Sequence, residues 1–180
     1  MGSTKSILTP GASVAPLGDF AYPCSLPAWA PDGTRIAFAA EPEAGNREIY
    51  VHDIAQEKTV RLTHHQNNDS YPAWDATGER IFFTSDRSDT PQLYMMGADG
   101  SGIRPLIRYL PHQWTNIAPS PRGDCFVFAA IAASGDHHLF TAPTDGLPLS
   151  QLTSQGVINR YPTWSPDGRF LAYVRYQDRQ

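Results

Sequence analysis

The chain has only two cysteines, Cys24 and Cys125, about a hundred positions apart and with no C-x-x-C spacing. That leaves no disulfide framework and no zinc ribbon to be read from them. It also has no run of Lys and Arg, and a formal charge of only −4, so it lacks the electrostatic footprint of a nucleic-acid or anionic-lipid binder. No apolar stretch approaches the roughly 20 residues that a membrane-spanning helix needs. Helical periodicity is missing beyond a few residues at a time. What the sequence has in quantity is punctuation, 16 Pro and 14 Gly, which divides it into many short elements.

The punctuation is periodic. Gly33, Gly78, Gly123 and Gly168 follow one another at intervals of 45 residues. Trp29, Trp74 and Trp164 keep the same phase, with Pro119 at the third position, so that the four phrases read PAWAPDG, PAWDATG, APSPRG and PTWSPDG. A 45-residue period is the length of one four-stranded blade of a β-propeller. After each glycine comes a dense apolar run, RIAFAA from Arg35, RIFFTS from Arg80, CFVFAA from Cys125 and FLAYVR from Phe170. Apolar residues at successive rather than alternate positions predict a strand buried on both faces, the setting of a strand between neighbouring blades. A third element (EIYVHD from Glu48, QLYMM from Gln92, HLFTA from His138) and a fourth (VRLT, IRPL, SQLT) complete each unit. Pro105 fits the fourth element as an outer edge strand, where no ladder hydrogen bond is lost.

The fold class expected is therefore all-β, a propeller of four-stranded antiparallel blades. Blade 1 spans about 25–63, blade 2 about 70–108, blade 3 about 115–153, and blade 4 about 160–180 together with about 5–18. The N-terminal share rests on V-A-P-L at Val14 to Leu17, whose leucine lies as far before Trp29 as Leu62 lies before Trp74, with Ser6 to Thr9 as a third strand. Both termini would then share one blade and close a ring of four. The alternatives are that two chains pair into a ring of eight, as a homodimer, or that the sequence belongs to a larger ring.

The phrases x-P-x-W-S-P-D-G-x-x-I-A-F, S-D-R-x-x-x-x-x-L-Y and D-G-S-G-I-R-P-L, best preserved from Tyr161 to Tyr173 and from Thr84 to Leu106, resemble the WD-like repeat of TolB-type β-propellers. The resemblance covers the chain from about Ser25 onward and implies a bacterial propeller that binds protein or peptide through one face. Repeats of this kind also occur in the propellers that gate prolyl-oligopeptidase-type and tricorn serine peptidases, which supplies an alternative. A structural or engineered propeller fragment without a ligand is another. By the same resemblance the compartment is periplasmic if a signal peptide has been removed, and cytoplasmic if Met1 is the native start.

Recurrent letters have structural duties first. Trp29, Trp74 and Trp164 read as packing between blades, Gly33, Gly78, Gly123 and Gly168 as turn residues, and Trp114 or Phe126 as filling the space that Pro119 leaves. Function is sought where the copies differ. Innermost strands start four and five residues before the tryptophan position, at Cys24 and Ser25, Asp69 and Ser70, Trp114 and Thr115, Asn159 and Arg160. With His64, His65 and His112 in the preceding loops, these would line the channel mouth as a partner-binding rim. No metal or cofactor is expected. The pairs His64/His65 and His137/His138 point apart on extended chain, no carboxylate or cysteine completes a ligand set, and a calcium ion at Asp69 has only the resemblance behind it. No catalytic residues are expected either: Ser134, Asp136 and His138 are close in sequence, but the chain has no G-x-S-x-G elbow to present a nucleophile.

Overall fold

The computed structural model describes residues 6–7, 15–16, 22–88, 90–107, 114–131, 135–154 and 158–176. Three four-stranded antiparallel blades follow in sequence order. Blade 1 comprises β3 (Cys24–Trp29), β4 (Arg35–Glu43), β5 (Asn46–Asp53) and β6 (Lys58–Arg61). Blade 2 comprises β7 (Asp69–Trp74), β8 (Arg80–Ser85), β9 (Gln92–Gly97) and β10 (Arg104–Ile107). Blade 3 comprises β11 (Trp114–Pro119), β12 (Cys125–Ile131), β13 (His137–Pro143) and β14 (Ser150–Gln151). The inner half of a fourth blade follows as β15 (Ile158–Trp164) and β16 (Leu171–Tyr176).

Near the N-terminus, β1 (Ser6–Ile7) and β2 (Ala15–Pro16) pair antiparallel, Ser6 opposite Pro16 and Ile7 opposite Ala15. These are the two strands assigned to the outer half of blade 4. They form a two-stranded sheet of their own, while β16 has β15 as its one ladder partner among the described residues. The ladder that would join the two halves into one blade is thus not among the described pairings, and closure by four stays a proposal.

The repeat is visible in the hydrogen bonds. At each turn between first and second strands the glycine N–H donates three residues back, to Ala30, Asp75, Ser120 and Ser165, and the amides of those same residues close the turn onto Arg35, Arg80, Cys125 and Phe170. All four turn glycines sit at φ between +67° and +75°, where a side chain would be strained. Turn carboxylates reinforce the geometry. The Asp32 carboxyl is held below its ordinary value by the backbone amide and hydroxyl of Thr34, and that of Asp167 by the Ser165 hydroxyl and the Arg169 amide.

The central strands of blades 1 to 3 are buried on both faces, as their unbroken apolar runs require, whereas β16, expected to be buried from the run at Phe170, is exposed because no further blade is described against it. Ala37, Ala39, Ile49 and Val51 of blade 1 meet Trp74, Ile81, Phe83, Tyr94 and Met96 of blade 2. On the other side of blade 2, Phe82, Leu93, Met95 and Ile107 meet Phe126, Phe128, Ala130 and Ala142 of blade 3. Each fully buried aromatic or aliphatic side chain stabilises the fold by roughly 1.5–3 kcal/mol. Phe126, opposite Pro119 in the ladder, is fully buried with its ring 5.4 Å from that of Phe82. Where the tryptophan is present it does more than fill space. Trp74 Nε1 donates to the Ala28 carbonyl at 3.2 Å and Trp164 Nε1 to the Ala118 carbonyl at 2.9 Å, each one blade back. Trp29, in the same phase, is 52% exposed.

Candidate functional site

One feature of the innermost strands is invisible in the sequence. Leu26, Tyr71, Asn116 and Tyr161, again 45 residues apart, have φ of 56°, 55°, 45° and 56°. At each of them the ladder to the second strand slips, between Ser25 and Ala28, Ser70 and Ala73, Thr115 and Ile117, Arg160 and Thr163. A left-handed non-glycine residue costs about 1–2 kcal/mol, so four in register are a built feature that packing sustains. The bulge re-aims the side chain it carries. Leu26, Tyr71 and Asn116 thereby line a cavity of about 400 Å³ along the channel, together with Pro72, Trp74 and Ile117.

A second hollow, of about 440 Å³, opens between blades 1 and 2 at the end where the innermost strands begin. Glu41 and Arg47 stand on one side, Thr84, Ser85, Asp86 and Pro91 on the other, and Asn68, Ser70 and Tyr71 form the floor. Tyr71 borders both hollows. The groove at the rim and the cavity beside the innermost strands are therefore contiguous at one half-buried tyrosine.

Of the residues assigned to the channel mouth, Ser70 lines the groove and Ser25 is exposed at the start of β3. Asp69 lies beneath the surface. It is fully buried, with Arg87 Nη2 2.7 Å from its Oδ2, and burial raises its carboxyl above the ordinary value although Ser85 and Arg87 pull the other way. Asn159 is also buried and donates to the His137 carbonyl, so it ties blade 4 to blade 3. Arg160 is half-buried and lays its guanidinium on the His137 ring, Nη2 2.6 Å from Nε2. His64 is exposed, whereas His65 is engaged: its amide donates to Glu48 and its Nδ1 accepts from the Asn67 amide. Trp114 and Thr115 are placed by backbone, opposite Ala130 and Ala129. Their side chains, His112 and Ser134 lie outside the described residues. Sequence reasoning missed Tyr71, Glu41, Arg47 and Asp86; Glu41 and Arg47 lie at the facing ends of β4 and β5 and Asp86 directly after β8, where no repeat letter marks them.

Burial, and after it the Arg160 charge, lowers the His137 imidazole below its ordinary 6.5. A histidine depressed in the folded state takes up fewer protons than the unfolded chain, so its stabilisation is complete above about pH 6.5 and is lost as pH falls toward its folded value. In an NMR titration of the ring resonances, Arg160→Ala is expected to raise the His137 midpoint while leaving it under 6.5, because burial is the larger cause. Among the described residues no group of three or more His, Cys, Asp or Glu side chains is placed to hold a metal ion.

Comparison with known proteins gives this geometry its relatives. An uncharacterized protein of Agrobacterium fabrum is 31% identical over 159 residues, covering 82% of this chain and 53% of that protein. A TolB homolog of Chlorobium chlorochromatii is 34% identical over 143 residues, covering 79% of this chain and 31% of that protein. An uncharacterized peptidase of Bacillus subtilis, YuxL, is 28% identical over 61% of this chain and 18% of its own length. The chain thus spans about half or less of the curated relatives it matches. Among solved structures, TolB from Acinetobacter baumannii superposes with a TM-score of 0.81 at 22% identity, over 94% of this chain and 42% of that one. The tricorn protease does so with a TM-score of 0.68 at 14% identity, over 94% and 17%. At such identities these two similarities establish the fold alone. The family model of the TolB β-propeller domain matches residues 6–180, and the chain belongs to that family.

Proposed function

We propose that this propeller is a non-enzymatic scaffold that holds a protein or a peptide at the face where its innermost strands begin. The observation that carries the reading is the junction at Tyr71 of two hollows, a groove bordered by Glu41, Arg47 and Asp86 and a cavity whose side chains are mainly apolar. An extended chain laid across the rim can satisfy its backbone on polar groups such as Asn68 and Ser70 and drop one side chain toward Leu26, Pro72 and Trp74.

The reading is tested by selecting random peptides on the immobilised propeller and measuring their affinity for Tyr71→Asn. Asparagine already holds the equivalent left-handed position at Asn116, so the backbone is expected to tolerate the change. Affinity should fall about tenfold or more with little change in melting temperature. Selected peptides that bind the variant equally well would refute the site. A second reading, a propeller that gates a serine peptidase, draws on the similarity to YuxL and to the tricorn protease. It would displace the first if a peptidase active site acted on chains delivered through this propeller.

A further inference from the structure

Glu41 and Asp86 occupy the same place in successive blades. They are 45 residues apart, and each donates its amide to a carbonyl 18 residues before it, Pro23 for Glu41 and Asn68 for Asp86. Their electrostatic surroundings differ. Glu41 Oε1 lies 2.9 Å from Arg47 Nε. Arg47 precedes Glu48, the first residue of the EIY phrase. In blade 2 the matching phrase QLY begins at Gln92, so the position of Arg47 is taken by Pro91. Among the described residues Asp86 accordingly has no cation at ion-pair distance. Its Oδ2 accepts a long bond of 3.3 Å from Asn68 Nδ2, and its Oδ1 is buried without a partner.

Among the described residues, three neighbouring carboxylates at this end are matched by an arginine, Glu41 by Arg47, Glu48 by Arg61 and Asp69 by Arg87, while Glu43 is exposed at the end of β4. Of the two carboxylates that line the groove, Glu41 and Asp86, Asp86 is the one without an arginine beside it among the described residues. A half-buried carboxylate that lines a groove without a counterion is stabilised when a cation enters the groove beside it. The donor that the wall fits is a cation with an apolar stem. Asp86 supplies the charge, and Tyr71 and Pro91 in the same hollow supply an aromatic and an aliphatic surface for methylenes or a guanidinium plane. Asn68 and Ser70 bound the space with uncharged polar groups.

We infer that the groove between blades 1 and 2 selects a lysine or arginine side chain of the bound polypeptide, which takes the place at Asp86 that Arg47 takes at Glu41. This rests on the peptide-binding reading and adds the chemistry of the residue bound. The test uses fluorescent hexapeptides that differ at one central position, Arg, Lys, citrulline, norleucine or Glu, in a flanking sequence taken from peptides selected on the whole chain. Arg and Lys peptides are expected to bind about tenfold more tightly than citrulline and norleucine peptides, Glu least, with the preference shrinking as salt is added.

Asp86→Asn keeps a side-chain acceptor for Asn68 and should abolish the preference. Pro91→Arg should abolish it by a different route, because it gives Asp86 an internal partner. Either variant losing the preference for basic peptides, while binding norleucine peptides as before, supports the assignment. Equal binding of Arg, norleucine and Glu peptides by the unaltered chain overturns it and leaves the site at Tyr71 standing. Selected peptides indifferent to both Tyr71→Asn and Asp86→Asn overturn both readings. A preference for basic peptides that survives Asp86→Asn and Pro91→Arg also overturns it, since the cation would then be held elsewhere.

Discussion

Trp74→Ala should lower stability by about 3–5 kcal/mol, the range for emptying a buried large aromatic. For a chain of this length that corresponds to a fall in melting temperature of roughly 6–20 °C by differential scanning calorimetry. The side chain is 5% exposed, lies in the core that joins blades 1 and 2, donates to the Ala28 carbonyl, and has the Arg35 guanidinium 4.6 Å from its ring. Trp74→Phe keeps most of the contact and loses the hydrogen bond, and should cost about half as much or less. The informative control is Trp29→Ala. With its ring half exposed and no earlier blade described beside it, Trp29 should cost no more than about 1 kcal/mol.

The same pair of variants tests closure. Trp74 and Trp164 each donate 46 residues back. By that rule Trp29 needs a carbonyl from a neighbouring blade, whether of its own chain, of a second copy or of a larger ring to which the sequence belongs. Tyr173, Val174 and Tyr176 of the half-blade are exposed apolar residues that such a junction would cover. If Trp29→Ala proves as costly as Trp74→Ala, the ends are joined in solution. Light scattering then separates a monomeric ring from a dimeric one, because only the dimer halves its mass on dilution.

Much of this architecture is written in the sequence because it rests on local rules repeated four times. Turn glycines, the tryptophan phase and the unbroken apolar runs each answer to one physical requirement, and their common 45-residue interval multiplies the signal. The start of each innermost strand was legible for the same reason. The left-handed bulges were not: Leu26, Tyr71, Asn116 and Tyr161 share a conformation but no residue type, and leucine and tyrosine give no warning of φ above zero. The candidate site was legible only in part. Position in the repeat brings Ser70 to the groove, yet it also brings forward Asp69 and Asn159, whose side chains turn inward to fasten strands. What decides the groove is whether a charged group finds its counterion, and that requires comparing residues across blades: Glu41 with Asp86, and Arg47 with Pro91.

Glu48 shows how the rim is held in place, and its removal is the second large effect expected. The carboxylate is fully buried at the start of β5. Arg61 Nη2 and the His65 amide lie 2.7 Å from its Oε1, and the Thr63 hydroxyl donates to its Oε2. Thr63 Oγ1 in turn accepts from the Ile49 amide, a bond repeated in blade 3 between Leu139 and Thr153. One carboxylate thus fixes the end of blade 1 and the first residues of the loop that leads to Ser70. Glu48→Ala leaves an arginine, an amide and a hydroxyl without their acceptor. Breaking a buried ion pair costs about 3–5 kcal/mol, but Arg61 keeps some access to water, so about 2–3 kcal/mol is expected, roughly 5–12 °C in melting temperature. Glu48→Gln reproduces what blade 2 already has at Gln92, retains an acceptor for the His65 amide, and should cost about half as much. Peptide affinity gives the functional readout. The His65 carbonyl accepts from Asn46, and Asn68, three residues further on, floors the groove. Glu48→Ala should therefore weaken peptide binding at temperatures well below its melting transition. An unchanged affinity there would mean that the loop holds its shape without Glu48, and that the groove is organised from the blade 2 side by Asp69 and Arg87 alone.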